Sequence, residues 1–327
     1  MSTETASGPA DSRTHRRRRG ALLAGLALLA AGAAGTGLAC AASDGEEGDA
    51  SGDRSAERAV ATPTPPPELP GGGRRLFPDR RVVAYYGAPQ DDELGALGIG
   101  SLDSAARRLA RQARPYGRKT RPVMPALELI TVIATAAPGE DGMYRARQSD
   151  RIVRQHLRAA RRHDALLILD IQPGRADFFT ETLRLRKWLK EPDVGLALDP
   201  EWRVGPGELP GQVIGRVSSR EVNAVSAWLE QLTVRHDLPQ KLFVIHQFTD
   251  EMVDETRLKP RERLAMVLNV DGFGGQEIKK SKYFAFAEGT PKGFRPGYKL
   301  FYKEDTDLMT PRQVMRMSPR PDLVVYE

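Results

Sequence analysis

Residues 194–202 read Val194-Gly195-Leu196-Ala197-Leu198-Asp199-Pro200-Glu201-Trp202, a small, apolar run that ends in two carboxylates and an indole. Its length and composition predict a short buried strand. Side chains alternate along a strand, so Gly195, Ala197, Asp199 and Glu201 share one face and Val194, Leu196, Leu198 and Pro200 the other. One face is therefore narrow at its start and acidic at its end.

Working outward, similar apolar runs alternate with amphipathic, Arg-rich segments from Arg81 onward. Strands are predicted at 82–87, within 122–134, at 165–171, at 194–202, 241–248, 264–271, 298–302 and 323–326. Helical spacing of apolar residues is found over 102–113, 150–162 and 176–189. Ser218-Ser219-Arg220-Glu221 predicts a capping box at the start of a helix reaching about Val234, and Thr310-Pro311 opens a last helix. Eight strands alternating with helices over about 250 residues predict a single (β/α)8 barrel. The alternative is an open doubly wound sheet. No Gly-x-Gly-x-x-Gly follows the first strand, so a dinucleotide cofactor has no support, and no cofactor is expected.

Such a barrel keeps its chemistry at the carboxyl ends of its strands. The strand assignments bring a polar set there: Tyr86, Glu128, Asp170, Gln172, Asp199, Glu201, Trp202, His246, Gln247, Asp271 and Tyr302, with Glu304 and Asp305 following. In Leu166-Leu167-Ile168-Leu169-Asp170-Ile171-Gln172, alternation turns Asp170 and Gln172 inward with Leu166 and Ile168. Asp199 and Glu201, about 6.6 Å apart along an extended strand, are close enough to shift each other's pKa. One carboxyl held protonated beside an ionised neighbour suits glycoside hydrolysis. Asp170, Asp199 and Glu201 are thus the candidate catalytic groups. Tyr86, Glu128, Gln172, Trp202, His246, Gln247, Asp271 and Tyr302 are candidate substrate contacts. Glu128 and His246 have structural readings beside these, as a buried carboxylate and a satisfied rim histidine. No metal is expected, since no His-x-His is present; a carboxylate-only Mg²⁺ or Ca²⁺ site at Asp170, Asp199 and Asp271 is the alternative. No Gly-x-Ser-x-Gly is found either.

Asp199-Pro200-Glu201-Trp202 resembles the Asp-x-Glu signature of barrel glycoside hydrolases of the chitinase-like and lysozyme-like families, which cleave N-acetylated glycans. The resemblance covers about nine residues, and the longer Asp-x-x-Asp-x-Asp-x-Glu form is absent, with Leu196 and Ala197 where aspartates would be expected. It implies that Glu201 is the acid protonating the leaving oxygen and that Asp199 orients the reacting group. The chain as a whole is similar to secreted barrel lipoproteins of actinobacteria, a resemblance that implies no particular activity.

The amino terminus carries its own signal. Arg16 to Arg19 precede an apolar run, Ala21 to Ala39, which closes on Thr36-Gly37-Leu38-Ala39-Cys40. This resembles a bacterial lipobox, whose cysteine is lipidated, and Arg18-Arg19-Gly20-Ala21-Leu22 resembles a twin-arginine export signal. Residues 1–40 are thus read as a lipoprotein signal peptide that directs export by the Sec or twin-arginine route. The chain would then sit on the extracytoplasmic face of a bacterial cell membrane, anchored at Cys40. A retained membrane helix over the same run is the alternative. Residues 41–73, rich in Asp, Glu, Gly, Ser and Pro, lack apolar periodicity and read as a disordered tether, with the barrel over 74–327. Cys40 is the only cysteine, which excludes an intrachain disulfide. The net charge is +6, of which residues 1–39 carry half. So mild a balance gives no reason to expect a nucleic-acid partner. A monomer is expected, with the membrane and a cell-envelope glycan as partners. The competing functional class is a non-catalytic barrel that binds glycan or an envelope protein.

Overall fold

The structure, a computed structural model, describes residues 65–327. The signal segment, the lipidation site Cys40 and the tether up to residue 64 lie outside the described residues. Among the described residues no helix is long and apolar enough to cross a membrane.

The strands are β1 (Arg81–Gly87), β2 (Val123–Ala134), β3 (Arg145–Arg147), β4 (Leu166–Ile171), β5 (Val194–Leu198), β6 (Lys241–Gln247), β7 (Leu264–Val270), β8 (Phe294–Leu300) and β9 (Leu323–Tyr326). All except β3 pair in parallel in the order β1-β2-β4-β5-β6-β7-β8-β9, and β9 returns to β1, so the sheet closes. This is the expected eight-stranded α/β barrel. The short β3 runs antiparallel to the far end of β2, where the register shifts between Ile130 and Val132.

Helices α1 (Leu102–Ala113), α2 (Asp150–Arg162), α3 (Phe178–Arg184), α4 (Arg186–Leu189), α5 (Ser219–Arg235), α6 (Gln276–Gly289) and α7 (Pro311–Val314) connect the strands. Alternation sorts the core into two layers. Leu167, Leu169, Leu196 and Leu198 pack outward with Val153, Leu157 and Leu229 of the helices. Val82, Ala84, Ile168, Ala197, Val244 and Val267 fill the barrel interior. Close approach requires glycine at two interior positions. A Cβ on Gly195 would lie 2.9 Å from the Leu242 carbonyl oxygen, and one on Gly297 2.5 Å from Asn269 Oδ1.

Caps follow the predicted chemistry with one difference. Thr310 and Gln313 form a complete capping box at α7, behind Pro311. At α5 the Ser218 hydroxyl accepts from Glu221 N–H, but the Glu221 carboxylate accepts from Phe178 N–H at 2.6 Å instead of returning to its own cap. It ties α5 to α3.

The described chain begins inside the stretch that composition assigns to the tether. Leu69, Leu76 and Phe77 pack with the interior cluster, below the first residues of the strands. The Arg80 guanidinium donates to the carbonyls of Pro70, Gly71 and Gly72. This segment plugs the N-terminal end of the barrel and leaves the chemistry to the other end.

Candidate functional site

Six interior side chains meet at the carboxyl ends of the strands: Tyr86 from β1, Glu128 from β2, Asp170 from β4, His246 from β6, Asn269 from β7 and Lys299 from β8. All are buried. Asp199 and Asp271, each one residue past its strand, and Gln172, beyond β4, complete the set. Inward orientation of Asp170 follows the predicted alternation, since Leu166 and Ile168 share its face in the interior cluster.

The imidazole of His246 is the centre. Its Nε2 lies 3.0 Å from Glu128 Oε1 and 3.9 Å from Asp170 Oδ1, and its Nδ1 lies 3.3 Å from Asp271 Oδ2. Burial favours the neutral ring, yet the hydrogen-bonded carboxylates Asp271 and Glu128 outweigh it and raise the pKa well above the ordinary histidine value. The carboxylates on both sides therefore favour the charged ring, which can donate at both nitrogens. The Asn269 amide, 3.2 Å from Nδ1, satisfies that state best with its oxygen turned toward the ring.

Lys299 supplies the second cation. Its Nζ donates to Glu327 at 2.6 Å and to Asp271 at 3.1 Å, and sits 3.9 Å from the centroid of the Tyr86 ring. Burial opposes its charge, but Asp271, Glu327 and Asp199 raise its pKa above the usual lysine value.

Asp170 is different. Its Oδ2 accepts from the Tyr86 hydroxyl at 3.2 Å, and Gln172 Nε2 donates to that same hydroxyl at 2.9 Å. Burial first, then the neighbouring Asp199 charge, push the Asp170 pKa well above the ordinary carboxyl range. The carboxyl therefore holds its proton where an exposed aspartate would have lost it. Glu128 Oε2 and Asp170 Oδ1 are buried oxygens with no hydrogen-bond partner among the described residues. A shared proton would relieve both.

A cation is the other way to satisfy them. Ligand atoms of Glu128, Asp170 and His246 lie within 4.8 Å of one another. One imidazole and two carboxylates suit a transition metal better than Mg²⁺ or Ca²⁺. In the charged ring Nε2 carries a proton toward Glu128, so a metal would have to displace that proton. The alternative carboxylate-only set of Asp170, Asp199 and Asp271 is interrupted by Lys299, which donates to Asp271.

No protein-family model, no curated protein and no solved structure matches the chain.

Not every expected residue joins it. Strand β5 stops at Leu198, and Pro200–Trp202 form a 3-10 turn entered from Asp199 at φ −112°, ψ 86°. The expected strand through Trp202 is thus four residues too long, and two-residue alternation does not carry from Asp199 to Glu201. Proline at the first position of that turn is the reason. Glu201 is buried in the turn and Trp202 is partly exposed. Gln247 faces away from His246, as neighbours on a strand must, and donates to the Thr249 and Val253 carbonyls. Tyr302 lies outside the barrel, stacked on Tyr326 at 5.3 Å and hydrogen-bonded to Tyr85. Asp305 pairs with Lys279 at 2.8 Å, behind the barrel wall.

Lys299, Asn269 and Glu327 escape the sequence reading. The signal for Lys299 and Asn269 is a polar residue in an apolar run, in Leu268-Asn269-Val270 and Tyr298-Lys299-Leu300. For Glu327 it is position alone, one residue past the last strand.

Proposed function

We propose that this chain is an extracytoplasmic, membrane-anchored barrel lipoprotein that hydrolyses a glycosidic bond in cell-envelope glycan. In this reading Glu201, on the turn after β5, delivers the proton to the leaving oxygen, and Asp199 orients the reacting sugar. Asp170 is the positioning residue beneath them, its proton held by burial and by the neighbouring Asp199. What supports this most is the Asp170–Asp199 pair, two buried carboxyl groups at the ends of adjacent strands, where burial and the Asp199 charge push the Asp170 pKa up. Carboxyl pairs whose pKa values are driven apart are what acid/base cleavage of glycosides requires. Trp202, partly exposed beside Glu201, offers an aromatic face for a sugar ring. The lipobox-like Thr36-Gly37-Leu38-Ala39-Cys40 supports the location.

The test is a glycan-release assay on purified full-length protein. Wild type is expected to release reducing ends from peptidoglycan or a related N-acetylated glycan. Glu201→Gln is expected to lower the rate by about 10²–10⁴-fold, because an amide cannot donate the proton. Equal rates for wild type and Glu201→Gln would remove Glu201 from the chemistry.

One observation favours a second reading, the non-catalytic binder: Glu128, Asp170 and His246 are 0% exposed. Glycan binding by Trp202 without any release by wild type would select it.

A further inference from the structure

The opposite end of the barrel carries a site of another kind. Between the loop joining α1 to β2 and the loop joining α7 to β9 lies a cavity of about 580 Å³. Five arginines line it, Arg81, Arg118, Arg121, Arg316 and Arg320, together with Thr120 and Ser318, and no carboxylate does.

Arg81 is the unusual member. It is 3% exposed, at the first position of β1. Nε donates to the Pro321 carbonyl at 2.8 Å and Nη1 to the Tyr116 carbonyl at 3.1 Å. Among the described residues it has no carboxylate partner, and Nη2 makes no hydrogen bond. Arginine is rarely buried without an ion pair. Burial and the guanidiniums of Arg121, Arg118 and Arg320 push its pKa down to about 10, a measure of how crowded the positive charge is. The nearest carboxylate, Asp322, is already held by Arg121 at 2.5 Å. Arg118 and Arg316 are exposed at the rim, and neither has an ion pair among the described residues. Arg320 is fixed by donating to the Met315 carbonyl.

We propose that this pocket binds a small phosphate-bearing anion. Five arginines around one concave space, with two hydroxyls, match the several oxygens and the negative charge of a phosphate group better than a single carboxylate. The pocket lacks an aromatic lining, and a base would have nothing to stack on. The anion is a free phosphate or phosphate ester, or the head group of an anionic lipid. Both present the same chemistry. The lipid source has a structural argument, because Leu69, Leu76 and Phe77 bring the N-terminal segment into the barrel at this same end. The inference is independent of the glycan reading, which concerns the other end.

Calorimetric titration of the full-length protein with inorganic phosphate and with pyrophosphate tests it. Wild type is expected to bind both. The double variant Arg118→Gln/Arg316→Gln, altered only at exposed rim positions, is expected to bind at least about tenfold more weakly, from the loss of two charge-assisted contacts. A control pair of the same charge change on the outer helices, Arg158→Gln/Arg235→Gln, is expected to change affinity less than about twofold. Repeating the titration with phosphatidylglycerol or phosphatidylcholine vesicles separates the sources. Competition by phosphatidylglycerol alone assigns the lipid head group, and no competition assigns the free phosphate. No binding by wild type, or equal weakening by both variant pairs, overturns the proposal.

Discussion

The two ends of the barrel bury charge in different ways. At the N-terminal end the buried cations are held mainly by backbone carbonyls, and the buried carboxylates there, Asp193 and Asp322, are each paired with an arginine. Arg81 donates to Pro321 and Tyr116, and Lys241 to Glu191 and Val194. At the C-terminal end the buried groups are chiefly carboxylates, and they crowd one another around His246 and Lys299. Carbonyls bound by a cation are loop ends fixed in place, so the first arrangement serves the fold. Carboxyl groups forced together raise each other's pKa and cost stability unless cations or protons intervene. The second arrangement is what an active site built at the expense of the fold looks like.

The contrast can be broken from either end. The largest effect is expected for Lys299→Met, which strips Asp271 and Glu327 of their shared ammonium. Losing one partner of a buried ionic network should lower unfolding free energy by about 3–5 kcal/mol, measured by urea denaturation. A loss below about 1 kcal/mol would show that the carboxylates there do not depend on Lys299.

A smaller, pH-dependent effect is expected at the other end. Burial lowers the Lys241 pKa to about 7, while Asp193 and Glu191 partly oppose the shift. Its folded value lies below the unfolded one, so between about pH 7 and about pH 10 the unfolded chain binds more protons and stability rises with pH. The rise attributable to this group should be roughly 2 kcal/mol, since its carbonyl acceptors offset part of the burial. In Lys241→Met it should vanish. Parallel stability profiles for the two proteins would mean that Lys241 stays charged throughout.

The smallest change is expected for Asp170→Asn. A carboxyl whose folded pKa exceeds its unfolded value contributes stability below the unfolded value and loses it as pH rises through the folded one. Replacing it with a neutral amide should therefore leave the protein as stable at neutral pH, or more stable by about 1 kcal/mol, in thermal unfolding. A clear loss would mean that Asp170 is ionised and paired.

The sequence makes the barrel legible because alternation and strand–helix rhythm are local. Leu166, Ile168 and Asp170 announce their shared face in seven residues, and Thr310-Pro311 announces its helix in two. Helix α6 is not legible. It starts at Gly275 without a side-chain cap, and it leaves Ile278 and Phe284 exposed while burying Tyr283, so no stripe marks it. The site was readable where one strand end carries two signals, as at Asp170 and Asp199. An extended strand through Pro200 would put Glu201 on Asp199's face, but the chain turns there. Lys299 and Glu327 belong to the cluster through strand closure, and closure between β9 and β1 joins residues far apart in sequence. No local pattern encodes it. The arginine pocket has the same origin, since Arg81, Arg118 and Arg316 meet only when the first and last strands pair.

The central claim is that the C-terminal cluster keeps a protonated carboxyl group at neutral pH and that Asp170 carries it. Infrared difference spectroscopy between wild type and Asp170→Asn, in the carbonyl-stretch region of protonated carboxylic acids, tests this without any substrate. The account predicts a protonated-carboxyl band at neutral pH in wild type that is absent from Asp170→Asn. A wild-type spectrum without that band, or a band that survives the substitution unchanged, would contradict it.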